Sequence, residues 1–214
     1  MKVALIGPTG YVGRAVLDEL LARGHEVLAL ARDPAKLATR PGLTVRQADV
    51  RDPAQVAAAL AGAEALVSAY NPGWGVAELY DEFLAGTRAI YEGVKAAGLK
   101  RLLVVGGAGS LYAAPGLQLV DSPDFPAEWK QGALAAREAL NLIQRESSLD
   151  WTFLSPAVNL EPGERRGQYR VALEQPVLDA QGQPARISTA DLAVAIVDEL
   201  EQRQHIRRRF TVGY

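Results

Sequence analysis

The sequence Gly7-Pro8-Thr9-Gly10-Tyr11-Val12-Gly13 constrains this chain more than any other segment. It stands between a short apolar run, Val3-Ala4-Leu5-Ile6, and a segment with helical apolar spacing, Tyr11–Ala22. Three glycines at this spacing are weak evidence alone; placed between a strand and a helix they have separate jobs. Gly7 permits a tight turn. Gly10 lets the backbone approach a ligand closely, and Gly13 lets the helix pack against the strand. Helix N-termini carry unpaired N–H donors and the positive end of the helix dipole, so the amides around Tyr11 and Val12 suit a pyrophosphate. Thr9 can add a hydroxyl donor. The spacing therefore predicts a dinucleotide held at the first strand–helix junction, against the plainer alternative of a turn that only links two elements.

The remaining chain repeats this alternation. Strands are predicted at Val3–Ile6, Glu26–Ala31, Leu43–Gln47, Ala65–Ser68, Arg101–Val105 and Trp151–Leu154. Helices are predicted at Tyr11–Ala22, closed by Arg23-Gly24, and at Pro53–Leu60, with Asp52 as cap and proline at the first helical position. Further helices are predicted at Ala77–Ala97, ending at Gly98, at Ala127–Glu146 after Pro126, and at Ser188–Gln202, where Ser188-Thr189-Ala190-Asp191 has the form of a capping box. Strands apolar on both faces, alternating with helices, imply an α/β fold with a doubly wound parallel sheet. The length of 214 residues suits one domain. Residues 155–186 carry Pro156, Pro162, Gly163, Gly167, Pro176, Gly182 and Pro184. We expect them to form a small irregular lobe or lid, not a second domain.

The end of the second strand bears on which dinucleotide is held. An acidic residue there would bond the ribose hydroxyls of NAD(H). Here Val27-Leu28-Ala29-Leu30-Ala31 runs into Arg32, whose planar fork of donors suits a 2′-phosphate, so NADP(H) is expected in preference to NAD(H). Asp33 is the competing acceptor, but Asp33-Pro34 also reads as a cap and first residue of a short helix; Lys36 can add charge. Asp49-Val50 after the third strand are expected at the adenine, with Asp49 accepting from its amino group. Ser68-Ala69-Tyr70-Asn71 and Gly106-Gly107-Ala108-Gly109-Ser110 follow the fourth and fifth strands, where ligands bind in open sheets.

Composition excludes several classes. There is no cysteine, hence no disulfide or thiolate chemistry, and His25 and His205 are too far apart to suggest a metal site. The formal charge is −2, which gives no pull toward nucleic acid. Arg207-Arg208-Arg209 is read as the solvated face of a terminal strand. No run approaches membrane-spanning length and the N-terminal apolar run is too short for a leader. The expected setting is the cytoplasm and the expected partner a small molecule; oligomeric state is not legible.

The turn at Gly7–Gly13, Arg32, Asp49-Val50 and the run Val104–Ser110 resemble the short-chain dehydrogenase/reductase superfamily. With Trp151-Thr152-Phe153-Leu154-Ser155-Pro156 and Ile187–Leu192, they look like its atypical, NADH-flavin reductase-like branch. The resemblance covers nearly the whole chain and implies a Rossmann-type sheet. It also implies Pro156, Ala157 and Val158 behind the nicotinamide. The superfamily's Tyr-x-x-x-Lys pair is absent. With Glu138 aligned to the family glutamate, Lys130 falls at the tyrosine and Leu134 at the lysine. Tyr91-Glu92-Gly93-Val94-Lys95 matches the letters but lies one helix too early, so packing or surface roles are expected for it. Without that acid, reduction of an isolated ketone is hard. A flavin or quinone-like acceptor spreads the added charge and needs mainly positioning. Tyr70, Asn71 and Trp74 are candidate walls for it, with Ser110, Tyr112 and Lys130 opposite, and Ser110 and Lys130 as candidate catalytic groups. The leading expectation is NADPH-dependent hydride transfer to such an acceptor, FMN and FAD included. A redox sensor that binds NADP(H) without turnover is the alternative. A sugar-nucleotide epimerase or dehydratase ranks below both.

Overall fold

A computed structural model describes residues 1–214. In chain order the strands are β1 (Lys2–Ile6), β2 (Glu26–Ala31), β3 (Leu43–Gln47), β4 (Ala65–Ser68), β5 (Arg101–Val105), β6 (Tyr112–Ala114), β7 (Leu117–Gln118), β8 (Asp150–Ser155), β9 (Asn159–Glu161), β10 (Arg170–Ala172), β11 (Arg186–Ser188) and β12 (Arg208–Gly213). The helices are α1 (Tyr11–Ala22), α2 (Pro53–Ala59), α3 (Leu79–Ala96), α4 (Ala127–Gln144) and α5 (Thr189–Gln202). Eight strands form one sheet in the order β10-β12-β8-β5-β4-β1-β2-β3, parallel throughout except for β10. The fold is a Rossmann-like doubly wound sheet.

The period of the strands explains the two layers. Along β1, Ala4 and Ile6 enter one core with Val56 of α2, Ile90 of α3 and Ile143 of α4. Val3 and Leu5 enter the opposite core with Val16 of α1 and Ile196 of α5. A strand buried on both faces must be apolar along its interior, as Val3–Ile6 of β1, Val27–Ala31 of β2, Ala65–Val67 of β4 and Leu102–Val105 of β5 are. The strand order runs outward in both directions from the adjacent pair β1 and β4, where the connections diverge and leave a crevice at the carboxyl ends.

Local chemistry sets the helix ends. Gly24, at φ 76°, takes the left-handed position after α1. The Asp52 carboxylate accepts from the amides of Ala54 and Gln55 at the start of α2. At α5 only half of a capping box forms: Ser188 Oγ accepts from the Asp191 amide, but the Ser188 amide donates to the Tyr214 hydroxyl. The Asp191 carboxylate is spent elsewhere, accepting from the amides of Arg166 and Gly167 and from the Tyr214 hydroxyl. That ties the 162–169 stretch and the C-terminus to α5.

Two expectations change. The C-terminal basic run is solvated only in part: Arg207 and Arg208 are exposed, but Arg209 turns inward. It leads into β12, the next strand after β8, where Phe210 and Val212 are core residues and Arg209 is only 3 % exposed. Arg209 tolerates burial because Nη1 donates to Ser110 Oγ at 3.1 Å and Nη2 pairs with Glu174. The stretch after β8 is also more regular than expected: β9 and β11 pair in parallel, and β10 extends the main sheet as its antiparallel edge.

Candidate functional site

The glycine turn lies at the β1–β4 crevice, at one wall of a cleft of about 1240 Å³. Gly7 has φ 79°, a left-handed conformation, and a Cβ there would lie 2.5 Å from the Ala69 carbonyl oxygen. A Cβ on Gly13 would overlap the Gly7 carbonyl. Gly13 therefore serves packing of α1 on the turn and does not itself line the cleft. A Cβ on Gly10 would meet only the Gly7 oxygen, at 3.3 Å, so its smallness leaves room chiefly for something outside the chain. Gly10 caps α1 without a side chain, and the amides of Tyr11, Val12 and Gly13 find no acceptor within the chain. No acidic residue lies in the first turn to compete for them. Such a cradle fits a pyrophosphate.

One end of the cleft gathers its charged side chains, and Arg32 and Lys36 there are cations without an ion-pair partner. Arg32 and Lys36, both exposed, line it together with Arg51. Asp33 is committed to the chain, its carboxylate accepting from the Ala35 amide as the cap of the Pro34–Lys36 turn. Asp49 and Val50 line the same end, but Asp49 is less available to a ligand than expected. Its carboxylate accepts from Arg51 Nη2 at 3.0 Å, Arg51 Nε at 3.2 Å and the Arg51 amide. The Arg51 guanidinium holds the Asp49 carboxyl below the usual carboxylate range. Arg51 also reaches Glu82 on α3 at 3.4 Å.

Ala69 and Tyr70 line the middle of the cleft, whereas Ser68, the last residue of β4, is buried beneath them. The Tyr70 hydroxyl donates to the Glu82 carbonyl at 3.1 Å, and its ring lies where a Cβ on Gly86 would stand. Burial pushes the Tyr70 hydroxyl up from its ordinary range, so it remains a neutral donor. Gly106 and Gly107 line the wall beyond β5. A Cβ on Gly106 would overlap the Phe153 ring, so an internal contact already demands that glycine. Pro156, Ala157 and Val158 close the side after β8.

The far wall departs from expectation. The residues of α4 that face the cleft are Trp129, Gly132, Ala133 and Ala136, an i, i+3, i+4, i+7 stripe. Lys130 and Leu134, the positions inferred from Glu138, are not among them. Lys130 is exposed and off the lining. Ser110 is only 1 % exposed, held by Arg209 behind Gly109, and Tyr112 also lies off the cleft. Neither expected catalytic residue therefore reaches the space a ligand would fill. Phe125, Pro126 and Trp129 do, and only the helical stripe following Pro126 signalled them in the sequence. Tyr91 is buried with its hydroxyl donating to the Ala139 carbonyl, and Lys95 pairs with Glu146 at 3.1 Å, so the decoy motif is structural.

Residues 7–203 match a family described as NAD(P)H-binding. The chain is similar to the uncharacterized protein YwnB of Bacillus subtilis, 39% identical over 99% of this chain and 98% of that one. Its fold is shared with a Bacteroides thetaiotaomicron protein provisionally assigned as an epimerase, at 43% identity and TM-score 0.92, over 100% of this chain and 96% of that chain. It is also shared with SP1627 of Streptococcus pneumoniae, provisionally assigned as an NADH-flavin reductase, at 34% identity and TM-score 0.83, over 99% of this chain and 98% of that chain. The chain belongs to the NAD(P)H-binding family.

Proposed function

We propose that the protein is an NADPH-dependent reductase that passes hydride to a flavin or a similar conjugated acceptor. The observation that carries this reading is the contrast between the two ends of one cleft. The end beside β2 and β3 supplies Arg32 and Lys36, cations without an ion-pair partner, and the end beside α4 supplies aromatic and small side chains with no proton donor of the tyrosine–lysine kind. Bound dinucleotide would supply the hydride. The Gly7–Gly13 turn would hold its pyrophosphate through backbone amides, and Arg32 with Lys36 would take the 2′-phosphate. Pro156 and Ala157 would back the nicotinamide. The remaining apolar walls would exclude water and hold the acceptor at close approach, which is catalysis by positioning. A carbonyl whose developing alkoxide needs an acid finds none on the α4 face, which disfavours simple ketones and the proton shuttling of sugar-nucleotide epimerases.

The test is titration of purified protein with NADPH and NADH, followed by oxidation of NADPH in the presence of FMN, riboflavin and 2-methyl-1,4-naphthoquinone. The expected result is tighter binding of NADPH and oxidation above the uncatalysed rate with at least one acceptor. Absence of NADP(H) binding overturns the proposal. Tight binding without turnover converts it to the sensor reading, which the missing acid pair also accommodates.

A further inference from the structure

The cleft divides its charges unevenly. Every charged residue that lines it, Arg32, Asp33, Lys36, Asp49, Arg51 and Glu82, belongs to the end beside β2, β3 and the start of α3. Toward α4 the lining contains no ionised side chain. Two indoles stand there instead. Trp74 and Trp129 meet edge to face, with ring centroids 4.9 Å apart and planes at 90°. Both are substantially exposed, at 55% and 48%. Trp74 is not a loose surface ring: a Cβ on Gly132 would lie 2.5 Å from it, so the indole rests directly on the backbone of α4. Phe125 and Val158 line the same cleft.

Large aromatic side chains held rigidly in water beside a cleft mark a binding surface. An edge-to-face pair leaves one indole with faces its partner does not cover, and such a face takes another flat ring by stacking. A phosphate placed here would find no cation to pair with, and Lys130, the nearest in sequence, lies off the lining. We infer that the acceptor is an uncharged planar ring system stacked against Trp74 and Trp129, and that flavins carrying a phosphate are poor substrates. This rests on the reductase reading and narrows it. The balance is simple. The C4–H bond of the dihydronicotinamide breaks and its two electrons and hydrogen pass to the acceptor. Water supplies one proton, so NADPH, H⁺ and the acceptor give NADP⁺ and the dihydro-acceptor.

The experiment is calorimetric titration of the wild-type protein, with and without NADP⁺, using riboflavin, FMN and 2-methyl-1,4-naphthoquinone. Riboflavin and FMN share one ring and differ in the phosphate; the quinone reports on the ring class. Riboflavin and the quinone are expected to bind at least about tenfold more tightly than FMN, and Trp129→Ala and Trp74→Ala each to weaken them by about tenfold. Trp129→Phe is expected to recover most of that loss, and the Kd for NADP⁺ is expected to stay within about twofold in all variants. FMN binding as tightly as riboflavin overturns the inference, as do alanine variants, shown folded by circular dichroism, that bind the rings like wild type. The wild-type comparison decides the matter even if a variant does not fold. Loss of NADP⁺ binding alone would instead overturn the reductase reading, leaving the ring titration of the free protein to judge the indole pair.

Discussion

Gly10 and Gly13 look equivalent in the sequence, but the structure separates what each does. Gly13 has no space for a Cβ because the Gly7 carbonyl occupies it, whereas Gly10 has a tight but tolerable 3.3 Å contact with the same oxygen. Gly10→Ala is therefore expected to leave Tm within about 2 °C of wild type while weakening NADPH by roughly tenfold or more, because the methyl stands where the pyrophosphate approaches. Gly13→Ala is expected to lower Tm itself, by roughly 5–10 °C, because α1 must move off the turn. Thermal melts and NADPH titrations of the two variants check this. Equal thermal effects would mean that the turn is a packing device only. The same scale separates the candidate catalytic residues from the cleft. Ser110 follows a strand but is buried, its hydroxyl accepting from Arg209, ninety-nine residues away in sequence. Lys130 adjoins Trp129, which lines the cleft, but one residue turns a helical side chain about 100° around the axis.

At the scale of elements, the six strands and five helices read from the sequence all form, because their period and caps act locally. Asp52 and Pro53 begin α2, Gly24 follows α1 and Ser188 begins α5. What was not legible depends on partners distant in the chain. The terminal strand is legible at the three arginines, but the burial of Arg209 is not, since a charge run reads as solvated unless Glu174 and Ser110 are known to wait for it. The small strands β9 to β11 hid among prolines and glycines. The junction of α3, α4 and β8 offers a test of electrostatic stability. Glu146, just past α4, accepts from the Ser148 amide at 2.7 Å and the Ser148 hydroxyl at 2.6 Å, and pairs with Lys95 of α3. The Ser148 hydrogen bonds, with a smaller part from Lys95, hold its carboxyl down at about 2. A carboxyl depressed on folding contributes stability above its unfolded pKa, and that contribution is lost as pH falls toward the folded value. Glu146→Gln is therefore expected to cost about 1 kcal/mol at pH 7, allowing for solvent screening of a rim position. The gap from wild type should close as pH falls from about 4.5 toward 2, as urea denaturation across that range would show. A gap that persists at the acid end would assign the loss to packing.

At the scale of the whole molecule, the cleft brings together the turn after β1, the ends of β2 and β3, the start of α3 and the wall of α4. A ligand that touches all of them stabilises the native state by mass action, by about 2.7 kcal/mol at a concentration one hundred times its Kd. For a chain of this size that is a rise in Tm of roughly 5–10 °C. The rise depends on what each end of the cleft recognises. If Arg32 meets a 2′-phosphate, the charge-assisted hydrogen bonds there contribute about 1.5–3 kcal/mol, or roughly ten- to a hundredfold in Kd. NADPH should then raise Tm by several degrees more than NADH at equal concentration. Arg32→Ala should erase that difference, lowering the NADPH shift to the NADH level while leaving the NADH shift and the Tm of the free protein unchanged. Such selectivity follows from placement: Arg32 is exposed at the tip of β2 and holds up no part of the core, so its removal is felt only by a ligand that carries the extra phosphate. Equal shifts for the two dinucleotides in wild type would assign the cationic end to the ribose and adenine alone, and would move the burden of NADP recognition off Arg32.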